Sequence, residues 1–427
     1  MSLLAKRPCA LLGFILLFAP ACTARSGDRP VTFMVSGEPQ ELAAYQALID
    51  AFAVEHPENP VNLLYVASQA EYRERLATMF SGNQPPDIFL YNYRRLGTYA
   101  ADGAIHPVDG LLDTSDVLRR DDFYPIALEA FTYQGVLQCI PQNISSPAIF
   151  YNQALFDAAG LPFPEPGWTL DDFIATATAL THDLDGDGRI DQWGFGTEIE
   201  TIRLAPFIWA TGGDFFDDPQ DPTALALSGP KARAAIEWFI ALRQVHGVAP
   251  DLVSETAQSS QDQFLNGSVA MFMDSRVAVP ALRTITAFEW DAAPLPLGDA
   301  FASVLHSDGF CMSARAAAEE AYRSRAWAFI EYALSETGQT ILAGTGRTVP
   351  SMIRVAESPA YLESAPPAAN RVWLDAAENM RALPMLPGWN TFEELFSKDL
   401  QRAFYGDTDL DQLLATALKL AEPLLRR

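Results

Sequence analysis

Apolar runs and amphipathic stretches alternate along the chain from residue 31 onwards. The resulting order of predicted elements is strand, helix, strand, helix, strand: Val31–Val35, Leu42–Phe52, Val61–Val66, Glu71–Phe80 and Asp87–Leu90. Within the first helix, the apolar residues recur at helical spacing: Leu42, Tyr45, Leu48, Ile49 and Phe52. This order implies parallel strands joined by right-handed crossover helices, so we expect an α/β sheet with helices on its faces. Ligands of such sheets bind beyond the carboxyl ends of the strands.

A second block of elements begins near Pro141. Thr169 with Asp172 forms a capping-box pattern that opens a helix through Thr181, and Ser228-Gly229-Pro230 opens another helix. The second of these helices is expected to bury one apolar face: Ala235, Trp238, Phe239, Leu242 and Val245. Further along, 267–273 and 310–313 are strand-like, and 376–427 is helical in pattern with breaks at Pro384, Pro387 and Gly388. A chain of 427 residues exceeds the size of a single hydrophobic core, so two lobes are expected.

The N-terminal segment has the pattern of an export signal. Lys6 and Arg7 precede the apolar run Cys9–Phe18 and the small residues Ala19-Pro20-Ala21-Cys22. We interpret residues 1–21 as a signal peptide and 22–29 as a tether. Two cleavage alternatives stay open, because Ala19-x-Ala21 suits ordinary signal peptidase whereas Cys22 resembles the lipid-anchored cysteine of a bacterial lipobox. We favour the lipid anchor at Cys22, and both alternatives predict export to the periplasm or cell surface.

The net charge of the chain argues against nucleic acids and anionic membranes as partners. The formal net charge is −25, from 29 basic and 54 acidic residues. Such a surface repels phosphate backbones and anionic lipid headgroups, so we expect no nucleic-acid partner and no membrane contact other than the N-terminal lipid.

Two cysteines remain after Cys22, and both lie in apolar, strand-like runs. For Cys139 and Cys311 the sequence leaves two alternatives open, a pair of buried thiols or a disulfide formed in an oxidising compartment. Neither a CxxC motif nor a paired His/Cys spacing is present in the sequence, so a zinc site has no support.

One loop has the spacing of a calcium site. Carboxylates occupy alternate positions, with a glycine at the sixth: Asp183, Asp185, Asp187, Gly188, Arg189 (through its carbonyl) and Asp191. The twelfth position is Gly194 instead of the usual Glu, so Glu198, Glu200 or water would complete the shell. The alternative is an Asx-turn loop without metal. The sequence therefore points to no required cofactor, with a structural calcium ion as one of two alternatives.

Nothing in the motifs indicates catalysis. The sequence has no GxSxG, HExxH, GxxxxGK[ST] or GxGxxG pattern, so we expect a binding protein and not an enzyme. Aromatic residues instead occur in polar, glycine-rich turns: Tyr91, Tyr93, Trp209 and Trp389. An aromatic ring beside Asp, Asn or Glu suits a pyranose, whose C–H face stacks on the ring while its hydroxyls take polar partners. Core packing is the alternative for each of these residues.

The order of several segments resembles the extracellular solute-binding proteins of ABC importers, in the family that includes maltose-type and other oligosaccharide binders. Seven stretches carry the resemblance, in the family's order: Ser81–Phe89 (SGNQPPDIF), Leu96–Leu111 (LGTYAADGAIHPVDGL), Gly135–Pro141 with Ile149–Leu161 (IFYNQALFDAAGL), Trp168–Phe173 (WTLDDF), Asp185–Phe195 (DGDGRIDQWGF), Phe264–Met271 (FLNGSVAM) and Ala326–Tyr332 (AWAFIEY).

This resemblance implies a two-lobed periplasmic-binding-protein fold of type II, with hinge strands between the lobes. Lobe 1 would comprise 30–139 and 304–345, and lobe 2 would comprise 140–303 and 346–427. The three crossings between lobes would fall near 139–141, 303–311 and 344–349, so both cysteines would lie in or near hinge strands.

The resemblance also places a ligand cleft between the lobes. Its expected lining is Ser36, Glu38, Tyr91, Asn92, Trp209, Gly213, Asp214, Asp274, Arg276, Asp308, Gly309 and Arg347. The carboxylates and Asn92 would hydrogen-bond ligand hydroxyls, while Tyr91 and Trp209 would stack on the sugar. Arg276 stands where the family often has Trp, which suggests an altered or anionic contact.

The implied function is a receptor that captures a sugar or oligosaccharide outside the membrane and delivers it to an ABC importer permease by hinge closure. The expected partners are the sugar and the permease subunits, and a monomer is expected. Three alternatives stay open: a binder of glycerol 3-phosphate or another small solute using Arg276 or Arg347, an exported carbohydrate hydrolase, and a scaffold with no cleft.

Overall fold

The computed structural model describes residues 29–37, 39–219 and 221–425. The predictions for the signal peptide, for Cys22 and for Glu38 lie outside the described residues. Strands β1–β13 are Val31–Ser36, Val61–Val66, Ile88–Asn92, Thr132–Tyr133, Val136–Leu137, Cys139–Pro141, Ala148–Asn152, Trp193–Thr197, Val269–Asp274, Trp290–Ala293, Ser303–Val304, Asp308–Met312 and Met380–Arg381. Helices α1–α20 are Pro39–Glu55, Gln69–Ser81, Gly97–Ala101, Asp109–Asp113, Pro125–Ala130, Gln153–Ala159, Leu170–Ala179, Thr201–Ala210, Pro230–Gln244, Leu252–Ala257, Ser260–Leu265, Val279–Leu282, Ala314–Ala317, Glu320–Leu334, Glu336–Ala343, Ile353–Ala356, Pro359–Leu362, Val372–Ala376, Trp389–Phe404 and Leu410–Leu425.

The first sheet has five strands in the order β2-β1-β3-β12-β6. Strand β1 pairs in parallel with β2 and with β3, which confirms the crossover topology predicted from the sequence. Strand β12 runs antiparallel between β3 and β6 and places Asp308 opposite Asn92. The carboxyl ends of β1 and β3 and the start of β12 therefore meet at one edge of the sheet. We call the part of the chain around this sheet lobe 1.

The second sheet has four strands in the order β10-β7-β9-β8 and forms the centre of lobe 2. Strand β7 is buried on both faces, because Ala148 and Phe150 belong to the core that it shares with lobe 1 whereas Ile149 and Tyr151 belong to the second core. The second core is completed by helices packed on this sheet, with α19 contacting α8, α9 and α20.

Three crossing segments join the lobes, and they hydrogen-bond to one another. Ser145 and His306 exchange backbone N–H···O bonds of 2.9 and 2.7 Å, and Ile144 N donates to Val349 O at 2.9 Å. These segments are 142–147, 305–307 and 344–352, close to the three predicted crossings. Strand β6 belongs to the first sheet and ends at Pro141, so lobe 1 extends two residues beyond its predicted end at 139.

A disulfide links the first and second of these crossings at their lobe 1 ends. Cys139 on β6 and Cys311 on β12 are direct register partners, with Cα atoms 4.5 Å apart, and both side chains are fully buried. Of the two alternatives that the sequence left open, the structure has the disulfide.

Several local predictions can be compared with the described elements. Helix α7 has the predicted capping box, in which Asp172 N donates to the Thr169 hydroxyl at 3.1 Å. Helix α9 begins at Pro230 as predicted, but Val245 is wrongly assigned to its buried face, because this residue follows the last turn and is 75% exposed. Tyr93 and Trp389 are fully buried, so of the two alternatives left open for these rings the structure has core packing.

Candidate functional site

A polar pocket lies at the edge of the first sheet where the carboxyl ends of β1 and β3 meet. Its cavity has a volume of about 50 Å³. The lining residues come from β1, α1, α2, β3, β12 and the third crossing: Ser36, Glu41, Gln69, Tyr72, Arg73, Leu90, Tyr91, Asn92, Arg95, Asp308 and Arg347. This is where ligands bind in open α/β sheets, outside the carboxyl ends of the strands.

Five of the residues expected from the sequence meet in this pocket. They are Ser36, Tyr91, Asn92, Asp308 and Arg347. Glu38 lies outside the described residues, and Gly309, opposite Tyr91 on β12, lies next to the pocket. A Cβ atom at Gly309 would lie 2.6 Å from the Phe131 ring, so close packing requires glycine there.

Strand register brings Asn92 and Asp308 together on the pocket wall. The Asp308 backbone N–H donates to Asn143 Oδ1 at 2.8 Å, which ties this end of β12 to the first crossing. Burial raises the pKa of Asp308, and the hydrogen bond with Asn92 and the positive charge of Arg347 offset part of that rise. Tyr91 is 7% exposed and packs edge-on against Tyr99, with ring centroids 5.9 Å apart.

An ion pair spans the pocket between α1 and the third crossing. Arg347 Nε lies 2.7 Å from Glu41 Oε1, and the two side chains are 20% and 12% exposed.

A hydrogen bond fixes the turn between β1 and α1 beside the pocket. The Gly37 backbone carbonyl accepts it from the Tyr65 hydroxyl at 2.7 Å.

Arginines form the other wall of the pocket. Arg73 lies in the first two turns of α2, and Arg95 lies in the short helical turn that follows β3. Burial lowers the pKa of Arg95, and the positive charges of Arg94 and Arg73 lower it further. The sequence analysis did not single out Arg73 or Arg95. Arg95 follows the end of β3 by three residues, which is a signal that the sequence carries. Arg73 lies within α2, seven residues after β2, so its place at the pocket depends on the strand order.

Three residues expected from lobe 2 form a separate cluster. Trp209 Nε1 donates to Asp214 Oδ1 at 3.3 Å, and the guanidinium of Arg381 pairs with Asp214 and lies 4.7 Å from the centroid of the Trp209 ring. At Gly213 a Cβ atom would lie 2.6 Å from the Ala232 backbone nitrogen, so glycine allows α8 and α9 to approach. Within the described chain, none of these residues lines the pocket.

Asp274 is 4% exposed, and its carboxylate is held by protein groups. It accepts hydrogen bonds from the Arg203 guanidinium and from the Ser275 backbone N–H. Arg203 Nε and Nη1 are buried and have no hydrogen-bond partner among the described residues. Burial raises the pKa of Asp274, and the Arg203 charge opposes that rise.

Arg276 is fully buried. Its guanidinium lies between two rings, 4.6 Å from the centroid of Tyr361 and 4.8 Å from that of Trp373, and Nη1 donates to Asn370 Oδ1 at 2.5 Å. Burial lowers the pKa of Arg276 to about 10. A ligand could therefore reach this guanidinium only after the surrounding rings had moved, and Arg276 is not among the residues that line the pocket.

Beside the pocket, lobe 1 contacts α19 directly. The Arg94 guanidinium pairs with the Glu393 carboxylate, and the side chains are only 13% and 9% exposed. The Tyr93 hydroxyl accepts a hydrogen bond of 3.0 Å from Leu383 N and donates one of 3.1 Å to Leu305 O. A Cβ atom at Gly97 would lie 2.4 Å from the Leu386 carbonyl carbon, so the two segments touch backbone to backbone.

The loop with calcium-type spacing brings three carboxylates together. Oxygen atoms of Asp183, Asp185 and Asp187 lie within 4.8 Å of one another, and all three side chains are exposed. The Asp183 carboxylate accepts hydrogen bonds from Gly186 N at 2.7 Å and Gly188 N at 2.8 Å, while Asp191 accepts from Leu184 N at 2.7 Å. Asx turns are formed by Asp185, which accepts from Asp187 N at 3.0 Å, and by Asp187, which accepts from Arg189 N at 2.8 Å. The loop thus has the turns of the metal-free alternative, and calcium binding, with Arg189 as carbonyl ligand, stays a prediction.

Among the described residues, no helix is both long enough and apolar enough to cross a bilayer.

Comparison with known proteins identifies the family. The sequence profile of the bacterial extracellular solute-binding protein family matches residues 36–340. A maltotriose-binding protein of Pyrococcus abyssi is 23% identical over 273 residues, which cover 64% of this chain and 55% of that protein. An ABC substrate-binding protein of Listeria monocytogenes in complex with cycloalternan has a TM-score of 0.84 at 20% identity, over 93% of this chain and 99% of that one. UgpB of Mycobacterium tuberculosis in complex with glycerophosphocholine has a TM-score of 0.80 at 22% identity, over 93% and 98%.

These likenesses confirm the two-lobed fold predicted from the sequence. Since the family profile matches well over half of the chain, the protein belongs to the bacterial extracellular solute-binding proteins.

Proposed function

We propose that this protein is the substrate-binding receptor of an ABC importer, and that it captures a sugar or oligosaccharide and delivers it to the permease by hinge closure. One observation carries the proposal: the polar pocket lies at the ligand-binding edge of the first sheet, next to the crossing segments that join the lobes. The maltotriose-binding relative supports a sugar as the ligand.

The chemistry of the pocket suits a polyhydroxylated ligand. Asp308 offers carboxylate oxygens and Ser36 offers a hydroxyl. Asn92 offers an N–H of its amide, because its Oδ1 already accepts from Arg94 N and Nε. Tyr91 adds an aromatic surface against which the C–H groups of a sugar can pack. Affinity would come from hydrogen bonds made in a site shielded from water, where an unmatched hydroxyl is costly.

The size of the cavity indicates how the ligand enters. A volume of about 50 Å³ accommodates water molecules, whereas pockets for small molecules have roughly 300–1,000 Å³. The described pocket is therefore too small for a whole sugar, and we propose that the lobes move apart before a sugar enters. The crossing segments are the hinge about which they would move, and the contact between Arg94 and Glu393 would break on opening.

We infer that the bound ligand leaves unchanged. Glu41, one of the two pocket carboxylates, is paired with Arg347, so it is poorly placed to act as a free acid or base. The family consists of binding proteins, which supports the same inference.

The proposed location is the periplasm or the cell surface, with a lipid on Cys22 as the membrane anchor. The export pattern of residues 1–21 and the extracellular character of the family support this location. We further propose a monomeric receptor that presents both lobes to the permease pair.

Titration of the purified protein with glucose, maltose and maltotriose tests the function. We expect saturable binding by calorimetry, a matching rise in Tm, and recovery of intact sugar by chromatography. Asp308→Asn should weaken binding about 10- to 100-fold, because a hydrogen bond to a charged group is lost, whereas Asp50→Asn on the exposed face of α1 should bind as the wild type does. Cleaved sugar would favour the hydrolase instead, and the absence of any binding would contradict the proposal.

A further inference from the structure

The charge balance of the pocket is opposite to that of the molecule. The whole chain carries 29 basic and 54 acidic residues. The described pocket lining has three arginines, Arg73, Arg95 and Arg347, and two acids, Glu41 and Asp308. The pocket therefore has more basic than acidic residues, although the protein as a whole is acidic.

The partners of these charged groups show where the excess lies. Arg347 and Glu41 form a 2.7 Å ion pair and so neutralise each other. Arg94, next to the pocket, is neutralised by Glu393. Arg73 and Arg95 form no salt bridge with any described residue, and both side chains are partly buried. Asp308, the other acid of the pocket, interacts electrostatically with Arg95, so an excess of one positive charge remains on the wall formed by Arg73 and Arg95.

Two positive charges on one small cavity repel each other, and the Asp308 carboxylate offsets only one of them. Burial and the charges of Arg94 and Arg73 lower the pKa of Arg95, and the negative charge of Glu393 opposes part of that shift. Gln69, the first residue of the 13-residue helix α2, also lines the pocket, so the N-terminus of this helix, capped by Ser68, adjoins the pocket. Guanidinium groups bind phosphate and carboxylate oxygens in pairs of parallel hydrogen bonds.

We propose that the ligand is a sugar or polyol bearing an anionic group, a phosphate or a carboxylate, which Arg73 and Arg95 bind together with Gln69. Asn92, Asp308 and Tyr91 take the hydroxylated part of the same ligand. This inference rests on the proposed function of the pocket and narrows its substrate class.

Matched pairs of probes test the inference. Calorimetric titrations compare glucose with glucose 6-phosphate and glucuronate, and glycerol with sn-glycerol 3-phosphate and a glycerophosphodiester. We expect at least one anionic probe to bind tenfold or more tightly than its neutral counterpart, with an affinity that falls several-fold between 20 and 300 mM NaCl. The phosphate and carboxylate arms show which anionic group is preferred.

Variants of Arg73 and Arg95 test whether these two residues cause the preference for the anionic probe. Arg73→Gln and Arg95→Gln should each reduce the affinity for the anionic probe about tenfold more than the affinity for the neutral probe. Arg75→Gln is the matched control, because Arg75 is exposed on the same helix and does not line the pocket. Thermal unfolding of each variant verifies that it is folded, and the comparison of neutral and anionic probes on the wild type stands without any variant.

The outcomes separate this inference from the function on which it rests. Neutral sugars that bind as tightly as their anionic counterparts would overturn the inference and leave the sugar receptor in place. A loss of equal size for neutral and anionic probes in Arg95→Gln would also overturn it. If no probe of either kind bound, the proposed function would fail, and the inference with it.

Discussion

At the scale of single residues, the surroundings of an arginine decide its role. Arg347 faces a carboxylate, Arg73 and Arg95 face a cavity, and Arg276 lies between two aromatic rings with an amide as its hydrogen-bond partner. The sequence analysis chose Arg276 and Arg347 as ligand contacts from the resemblance alone. The sequence could not show that Arg276 differs from Arg347, because the rings that enclose Arg276 come from residues about 90 positions further along the chain.

We expect Arg276→Ala to affect stability and not binding. The substitution would leave a cavity between Tyr361 and Trp373 and an unpaired Asn370 amide oxygen, so the free energy of unfolding should fall by about 2–4 kcal/mol. Urea unfolding measures this change, and calorimetry at a temperature where the variant is folded should give unchanged ligand affinity. A large loss of affinity with unchanged stability would instead make Arg276 a ligand contact.

At the scale of elements, periodicity predicts best where one face of a strand or helix is buried locally. The predicted strand at 61–66 matches β2, and the predicted helices at 71–80 and from Pro230 match α2 and α9. The short helices α16–α18 were missed because long-range packing stabilises them. An example is Trp373, which packs on Phe150 with ring centroids 6.0 Å apart. The pocket wall of Arg73 and Arg95 was missed because it depends on the strand order, which periodicity does not reveal.

The second crossing segment should make stability depend on pH. His306 is half-buried there, and its Nε2 atom is enclosed without a partner among the described residues. Desolvation, together with the Arg203 and Arg94 charges, keeps its pKa well below 6.5. The unfolded chain therefore binds a proton below pH 6.5 that the folded protein does not, so stability is retained above that pH and lost as the pH falls. The loss should be about 1.4 kcal/mol between pH 7.5 and pH 5.5.

Urea unfolding at several pH values measures this dependence. In His306→Gln the acid-side loss should be smaller by about that amount, whereas His246→Gln, which replaces an exposed histidine, should retain the wild-type slope. Equal slopes in all three proteins would show that His306 is not the titrating group.

The loop from Asp183 to Asp191 gives a prediction for calcium. We expect 1 mM CaCl₂ to raise the Tm of the wild type by a few degrees, because binding to the folded state alone stabilises it. Asp185→Asn should abolish that rise, because it removes one of the three converging carboxylates. An unchanged Tm in calcium would favour the Asx turns as the whole explanation of the motif.

At the scale of the whole molecule, the buried pair of Arg94 and Glu393 joins lobe 1 to α19, and we expect it to hold the described arrangement of the lobes together. Breaking a buried pair from one side typically costs about 3–5 kcal/mol, and part of that cost would be relieved by opening. Glu393→Gln should therefore increase the radius of gyration of the ligand-free protein in small-angle X-ray scattering. Glu394→Gln is the control, since Glu394 pairs with Lys398 on its own helix, 2.8 Å away. Identical scattering from both variants would exclude this contact as a determinant of closure.

The bond between Cys139 and Cys311 has a topological consequence for the lobes. The 172-residue separation of the two cysteines encloses β7–β10, the whole second sheet, so that sheet belongs to a covalently closed ring that leaves lobe 1 and returns to it. A protease that cuts once inside this ring produces two polypeptides that stay joined. On a denaturing gel they should migrate as one band until a reductant separates them, whereas a single cut in α19 or α20 should release its fragment without one.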